Sequence, residues 1–584
     1  MSKKQNLPKA TSATATRTSG KLVETPTGST IFEWLEKHLE ANRNRYCYIV
    51  LGLSALFAVL MFDIKMSTGF DDSMYIESGY NYAKDFFGYW HGANAPLYPI
   101  FLAIPIKLFG LNVVLLKSFS VIFFVLGIYF TYKAFAGRMP YTILFLSLLI
   151  VATNSAFLAH ASLTYTEAFF SMMQGIFFLS FFKLSDRIET EGSGLKENWK
   201  GYLSLALITY LLFMSRSVAA GAILVVITYF LFQKDWKAAL YSTLAYACVA
   251  LPFEGIKRLI WTGSNQFASQ GNAMFQKDFY DPGKGQETLS GFVTRFWTNA
   301  EIYLSTKLWE MLGIRKVDSI VSTGITLFTI LLFVAGLLWA FKRKNRALQF
   351  GLLYAGILTG ITFVALHTNW GQGRLVMIFL PYILFAFFYG IYALMDNKSL
   401  SALQLSFIIL AFLFFAVNIR VTMAEVKKNT PVLAQNLGGN KYAGYTTDWV
   451  NYLKLSEWCG KNLPKDSYVA ARKNSMSFLY GNGMAFYPIF RTTSTDADTL
   501  IKTLKDNKVT HVILAELRMD PARYVENSFV NTIHRYLAPI DQKYPGSLKM
   551  IHQEGTVEKA QLYELDYSKM VAPATAIPNT PQQQ

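Results

Sequence analysis

The sequence predicts a mostly α, polytopic transmembrane helical bundle with a small C-terminal extracytoplasmic α/β domain. Three observations carry that prediction. The 584 residues are 52% hydrophobic and only 16% charged, with a mean hydropathy of +0.26, and soluble domains rarely combine such values. The apolar residues fall in runs of roughly 17–25, enough to cross a hydrocarbon core about 30 Å thick. Beyond residue 424 the runs give way to short β-like segments alternating with helical spacing.

The formal net charge of +17 does not imply nucleic acid as a partner. The basic residues sit mainly in short loops between apolar runs, where they orient a protein among membrane lipids. Cys47, Cys248 and Cys459 lie far apart with no CxxC or Cys/His cluster, which argues against disulfides and a structural zinc site. The polar N-terminus shows no cleaved signal peptide.

Residues 1–28 are rich in Ser, Thr, Lys and Ala and read as a disordered cytoplasmic tail. Residues 29–45 read as an amphipathic interfacial helix. Thr30 to Glu33 has the form of a capping box, and Ile31, Trp34, Leu35 and Leu39 recur at helical spacing. Residues 46–424 form the membrane domain. It has about eleven candidate spans: 46–62, 112–136, 141–159, 165–184, 200–215, 218–233, 237–254, 318–341, 347–366, 375–395 and 401–420. The segment 97–110 is shorter and interrupted by Pro99, Pro105 and Lys107, so it reads as interfacial or half-buried.

With the N-terminus in the cytoplasm, the inward loops carry Lys133 and Arg138, Lys183 and Arg187, Lys234 and Lys237, the cluster Lys342 to Arg346, and Lys398. The outward loop 160–164 carries no Lys or Arg, in keeping with the positive-inside rule. Three parts then gather outside: a first loop at 64–111, a long loop at 255–317, and the C-terminal region. Residues 440–570 read as a soluble α/β domain. Its helices are expected at 445–463, 496–508 and 521–537, and its strands at 467–471, 485–490, 509–515, 548–554 and 560–566. It has no Gly-rich phosphate loop and no nucleophile elbow, and 571–584 reads as a Pro, Ala and Gln-rich disordered tail. The composition suggests a bacterial inner membrane protein, with the C-terminal domain periplasmic or extracellular.

Ionisable residues at span ends are functional candidates, because carboxylates near hydrocarbon are expensive. Asp71 and Asp72 follow the first span after a short polar spacer. An ionised Asp there can act as general base toward a hydroxyl; the plain alternative is an N-cap pair for a helix beginning near Ser73. Glu167 stands at the outer start of a span, where a carboxylate also favours the helix dipole. Arg216 and Arg374 lie on the outer side, against the orientation rule, and a guanidinium there matches a lipid phosphate in a bidentate way. Snorkelling is the alternative. Lys257 and Arg258 carry the same two readings. His160, Tyr75, His91 and His367 complete the rim as substrate-contacting candidates, although His160 alone reads as a hydrogen-bonded interfacial histidine. Trp261 to Tyr280 holds Asn, Gln, Ser and aromatic residues that suit a sugar or any solvated loop. No motif calls for a cofactor. Asp71, Asp72 and Glu167 could hold a divalent metal ion, but carboxylates alone are too generic to name one.

In order, Asp71-Asp72-x-x-Tyr75 with Gly79 and Ala83, then Ala95-Pro96-Leu97-Tyr98-Pro99 and Lys107-Leu108-Phe109-Gly110, form a pattern. It resembles the first-loop signature of the GT-C glycosyltransferase superfamily, and most of all its protein O-mannosyltransferase and lipid A aminoarabinose transferase branch. Thr164 to Glu167, Arg216, and Gly373-Arg374 with Leu380-Pro381 resemble that branch's later segments. The likeness covers about 65–430, and the C-terminal domain is similar to periplasmic domains attached to such enzymes. Asp72 stands where Glu is common, Leu375 where Tyr is usual, and Ala95 where a Pro pair is common.

The resemblance implies a GT-C-like bundle and a polyprenyl-phosphate-linked sugar donor. It implies an acceptor hydroxyl on a glycolipid, glycan or protein, and inverting transfer on the external face. Asp71 would serve as base or acceptor-positioning carboxylate. Arg216, Arg374 and Lys257 or Arg258 would hold the departing phosphate. A transporter or flippase for a lipid-linked sugar is the alternative from another class. It would bury ionisable residues at mid-membrane in paired halves, whereas here they cluster at the outer ends and no internal repeat is visible. A membrane anchor displaying the soluble domain leaves ten spans without a use. An O-antigen-ligase-like or lipid-modifying enzyme is the nearest alternative within the class.

Overall fold

A computed structural model of the chain describes residues 31–92, 94–261, 274–278, 282–317, 319–395, 403–492 and 494–570. The readings for 1–28 and 571–584, Thr30 of the capping box, Lys398 and most of Trp261 to Tyr280 fall outside these residues.

The first helices are α1 (Ile31–Ala41), α2 (Arg43–Leu60), α3 (Asp71–Lys84), α4 (Leu97–Phe109), α5 (Val113–Phe135), α6 (Tyr141–Ala152) and α7 (Ser155–Ala161). They are followed by α8 (Thr166–Glu191), α9 (Leu195–Ser215), α10 (Ala222–Phe232) and α11 (Trp236–Ile260). Within 255–317 the chain is not simply a loop. It forms α12 (Leu289–Ile302), a π-helical turn (Tyr303–Lys307) and α13 (Leu308–Met311). The remaining bundle helices are α14 (Thr323–Lys342), α15 (Arg346–Ala365), α16 (Arg374–Met377), α17 (Leu380–Met395) and α18 (Gln404–Leu437).

Among the described residues, six helices are long and apolar enough to cross a membrane, or up to seven if the bent pair α6–α7 is one span. The six are α5, α8, α11, α14, α15 and α18. The expected total of about eleven is reached only by counting shorter or more polar helices as well. Of these, Ser217–Phe232 and Leu380–Met395 are short, and α9 begins with Lys196, Glu197 and Lys200. The segment 97–110 is a short apolar helix, α4.

Local chemistry accounts for several boundaries. The 58° bend between α6 and α7 has no Pro or Gly at its centre. Asn154 makes it, accepting from the Ala156 and Phe157 N–H groups as N-cap of α7. Its amide donates to the Asn418 side chain and the Met311 carbonyl, both at 2.8 Å. Thr422 donates to the Thr153 carbonyl, so α18 satisfies the broken ladder. The N-terminal helix packs inward on one side. Phe32 stacks on Tyr392 at 4.7 Å, and the Glu36 carboxylate caps the Tyr141 and Thr142 N–H groups of α6. Gly79 lets α3 lie close on α4, since a Cβ there would meet Leu102 at 2.9 Å.

After α18 come α19 (Thr447–Asn462) and α20 (Asn474–Tyr480), then α21 (Ala497–Asp506) and α22 (Thr532–Lys543). They surround a five-stranded sheet of β1 (Val469–Ala471), β2 (Phe486–Pro488), β3 (His511–Ala515), β4 (Leu548–Glu554) and β5 (Ala560–Leu565). The order is β2-β1-β3-β5-β4, with β1 parallel to β2 and β3, and β5 antiparallel to β3 and β4. The strands fall at the expected places. The helix expected at 521–537 starts only at Thr532, because Asn527 takes the left-handed conformation at φ 60° and Phe529 pairs with Arg518 in an antiparallel bridge.

The segment joining α2 to α3 is braced from three sides. Lys117 of α5, fully buried, donates to Asp63 at 3.0 Å and to the Lys65 carbonyl at 2.5 Å. Asn429 of α18 donates to the Leu60 and Phe62 carbonyls, and Asn436 accepts from the Ile64 N–H. The Tyr445 hydroxyl accepts from the Met66 N–H at 2.7 Å. Removing one partner of a buried ion pair costs about 3–5 kcal/mol, whereas replacing both by apolar groups is close to neutral. Thermal unfolding of the purified protein should therefore show Lys117→Met well below wild type, with Lys117→Met/Asp63→Leu recovering most of the loss. Equal midpoints for the single and double variants would contradict the pairing.

Candidate active site

Four helix ends meet at one end of the bundle. Asp71 opens α3, Glu167 lies in the first turn of α8, Arg216 is the C-cap of α9, and Arg374 opens α16. The acids at helix N-termini and Arg216 at a C-terminus each suit the helix dipole, by about 0.3–1 kcal/mol. Arg374, in the single turn of α16, faces two carboxylates. Its guanidinium donates to the Asp71 carboxylate, and its Nη1 lies 3.9 Å from Glu167 Oε1. The same Glu167 oxygen lies 2.9 Å from Arg216 Nη1. One carboxylate with only 1% of its side chain exposed thus lies within 4 Å of two guanidiniums and compensates their charge.

Further contacts fix the two arginines. Arg374 lies over the Tyr165 ring, 4.7 Å from its centroid, and its Nε donates to Gln372. Arg216 also donates to the Thr166 hydroxyl at 3.3 Å. The Tyr165 hydroxyl donates to Ser67 at 2.8 Å, tying the start of α8 to the loop before Asp71.

The adjacent acids point in different directions. Phe70 caps α3 in the left-handed region at φ 88°, a conformation that costs a bulky residue about 1–3 kcal/mol. The helix begins at Asp71 itself, two residues before Ser73. Asp71 keeps 30% of its side chain exposed beside Arg374. Asp72 is fully buried and turned back, accepting from the Ser67 N–H at 2.7 Å and the Ser73 N–H at 2.8 Å. Burial pushes its carboxyl up to about 6, against the pull of these N–H groups and of Lys117.

The other candidates divide. Tyr75 is buried beneath the cluster, and burial followed by the charges of Asp71 and Glu167 raises its phenol. His160, on α7, has its ring 5.7 Å from Tyr165 and its Nδ1 on the Ala156 carbonyl. His91 is buried, with Nδ1 on Ser78 at 2.8 Å and the ring lowered by burial to about 4, so it is neutral at pH 7. His367 is buried against Trp370. Lys257 belongs to another group of side chains, with Glu254 at 3.2 Å and the Trp90 ring at 5.1 Å. Arg258 next to it is exposed.

Sequence reasoning did not single out the C-terminal domain's contribution. Lys473 donates to the Thr68 carbonyl at 2.8 Å and lies 5.6 Å from the Phe70 ring. Phe490 stacks edge-on to Phe70, and Arg472 covers Phe490. Burial, then the neighbouring Arg472, lowers the Lys473 ammonium to about 8. No periodicity or motif marks these residues, since they reach the site only through the domain's fold.

Among the described residues, no group of three or more His, Cys, Asp or Glu side chains is placed to hold a metal ion. Asp72 accepts from backbone N–H groups, whereas Asp71 and Glu167 both face the Arg374 guanidinium.

No family model matches the chain, and no curated protein matches it by sequence. Solved structures match in fold. ArnT from Cupriavidus metallidurans bound to undecaprenyl phosphate aligns with a TM-score of 0.50 at 12% identity, over 90% of this chain and 99% of that one. Its apo form gives 0.50 at 12% identity, over 91% and 100%. The oligosaccharyltransferase of Archaeoglobus fulgidus aligns at 0.48 and 14% identity, over 87% and 80%. The chain has a GT-C-like fold, with apolar helices of membrane-spanning length and a small C-terminal sheet.

Folding raises the Asp72 carboxyl from 3.8 to about 6. Between these values the folded chain keeps a proton that the unfolded chain has released. The group's contribution to stability is therefore greatest below pH 3.8, falls as pH rises through 6, and is flat above. The difference in unfolding midpoint between wild type and Asp72→Asn should change across that window and stay constant at higher pH. A difference that is flat throughout would contradict the buried, turned-back placement.

Proposed function

We propose that the chain is an integral-membrane glycosyltransferase. It moves a sugar from a polyprenyl-phosphate-linked donor to an acceptor hydroxyl on the external face, with inversion at the anomeric carbon. The observation that carries this reading is the Asp71–Arg374–Glu167–Arg216 cluster. A carboxylate able to act as base stands beside two guanidiniums that a buried third group holds in place. The fold shared with ArnT, whose structure holds undecaprenyl phosphate, supports a lipid-phosphate donor.

Arg374 is paired with Asp71 in the structure. A donor phosphodiester entering between Arg216 and Arg374 competes for that guanidinium and releases Asp71 toward the acceptor. Asp71 then takes the proton of the acceptor hydroxyl. The acceptor oxygen forms a bond to the anomeric carbon from the side opposite the phosphate. The bond from that carbon to the phosphate oxygen breaks, and its electron pair leaves with polyprenyl phosphate. Arg216 and Arg374 hold the added charge. Phosphate is a good leaving group, so no general acid is required. Glu167 is a positioning residue: it sets both guanidiniums and takes no proton.

The test follows release of polyprenyl phosphate from polyprenyl-phosphate-linked sugars in proteoliposomes. Asp71→Asn should lower turnover by about 10²–10⁴-fold, the usual worth of a positioned base, with donor binding retained. Arg374→Gln should instead weaken donor binding as well as turnover, and Arg216→Lys should not restore bidentate contact. Wild-type turnover in Asp71→Asn would overturn the base assignment. Unchanged donor affinity in Arg374→Gln would overturn the phosphate assignment.

A further inference from the structure

The far end of the α5–α8 pair, away from Glu167, opens into a cleft of about 480 Å³. That volume is within the usual range for small-ligand sites. Lys133 comes from the last turn of α5, Arg138 from the turn that follows, and Lys183 and Arg187 from α8. Asp186 is the one carboxylate lining the cleft, and Arg138 engages both its oxygens, at 2.8 and 2.5 Å. Four cations and one carboxylate leave three positive charges.

Among the described residues, Lys133, Lys183 and Arg187 have no carboxylate within 4 Å. Lys183 and Arg187 stand four apart on one helix, a like-charge spacing that costs about 0.2–0.5 kcal/mol. Positive charge at this end of the spans is expected from orientation alone. Orientation does not explain why the cations converge on one concavity, nor why its floor is apolar, formed by Leu179 and Phe182. Lys133 and Lys183 also sit where the apolar runs of their helices end.

We propose that this cleft binds the phosphate headgroup of an anionic phospholipid. Lys133, Lys183 and Arg187 contact the phosphate oxygens, and an acyl chain lies against Leu179 and Phe182. The site is separate from the transfer chemistry and stands or falls independently of it.

The test is native mass spectrometry of the full chain released from nanodiscs of equal phosphatidylglycerol and phosphatidylethanolamine. The wild type should retain phosphatidylglycerol preferentially. Lys183→Gln/Arg187→Gln should lose that preference by about tenfold or more, at roughly 1 kcal/mol per basic residue. Both residues are exposed, so the unfolding midpoint of the variant should match wild type. Equal retention of the two lipids by the wild type would overturn the proposal, as would undiminished preference in the double variant. Displacement of the bound lipid by millimolar inorganic phosphate would also overturn it, by reassigning the cleft to a soluble phosphate.

Discussion

The arrangement depends on one buried carboxylate that serves two guanidiniums. Glu167 cannot be solvated where it stands, and a bare anion in that position would cost several kcal/mol. Arg216 and Arg374 make its burial tolerable, and Glu167 in turn holds two like charges close together. Asp71 completes the balance, so two acids face two bases. A neutral cluster of this kind is poised. In the proposed reaction an arriving phosphate would meet two preset donors, and the carboxylate it would displace is the one that keeps solvent access.

Holding that cluster requires the Met61 to Phe70 segment to stay in place, and the molecule gives much of its polar bonding to this task. A buried lysine from α5, two asparagines from α18, and Tyr445 with Lys473 from the C-terminal region all bind its backbone. The left-handed Phe70 is the strained point that these contacts sustain. It makes the chain turn sharply enough for Asp71 to face Arg374 while Asp72 faces inward. The C-terminal domain is thus part of the site's frame, through Lys473 and the Phe70–Phe490 contact, even though its sheet carries no recognisable chemistry.

Much of this was legible in the sequence because charge near hydrocarbon is rare and therefore visible. Glu167, Arg216 and Arg374 stood out as ionisable residues at span ends, and Asp71 followed a short spacer after the first apolar run. Their meeting follows from threading alternate span ends to one side. The different fates of Asp71 and Asp72 were not legible, because adjacent helical positions point about 100° apart and which one faces inward depends on how α3 packs. Lys473 and Phe490 were hidden for another reason: their contacts with Thr68 and Phe70 cross some 400 residues of chain and depend on how a whole domain docks. The bend at Asn154 lacked the Pro or Gly that usually marks a kink. The helices within 255–317 were missed because α12 is too short and polar to read as a span. In the small domain, by contrast, the strands were visible as short runs with apolar and aromatic residues set between helical stretches.

The most direct measurement is an experimental structure of the protein with undecaprenyl phosphate bound. The phosphate should lie between Arg216 and Arg374, with Glu167 still beside both arginines and Asp71 released from Arg374 to face the open side. A phosphate bound elsewhere, with the Asp71–Arg374 pair intact, would contradict it.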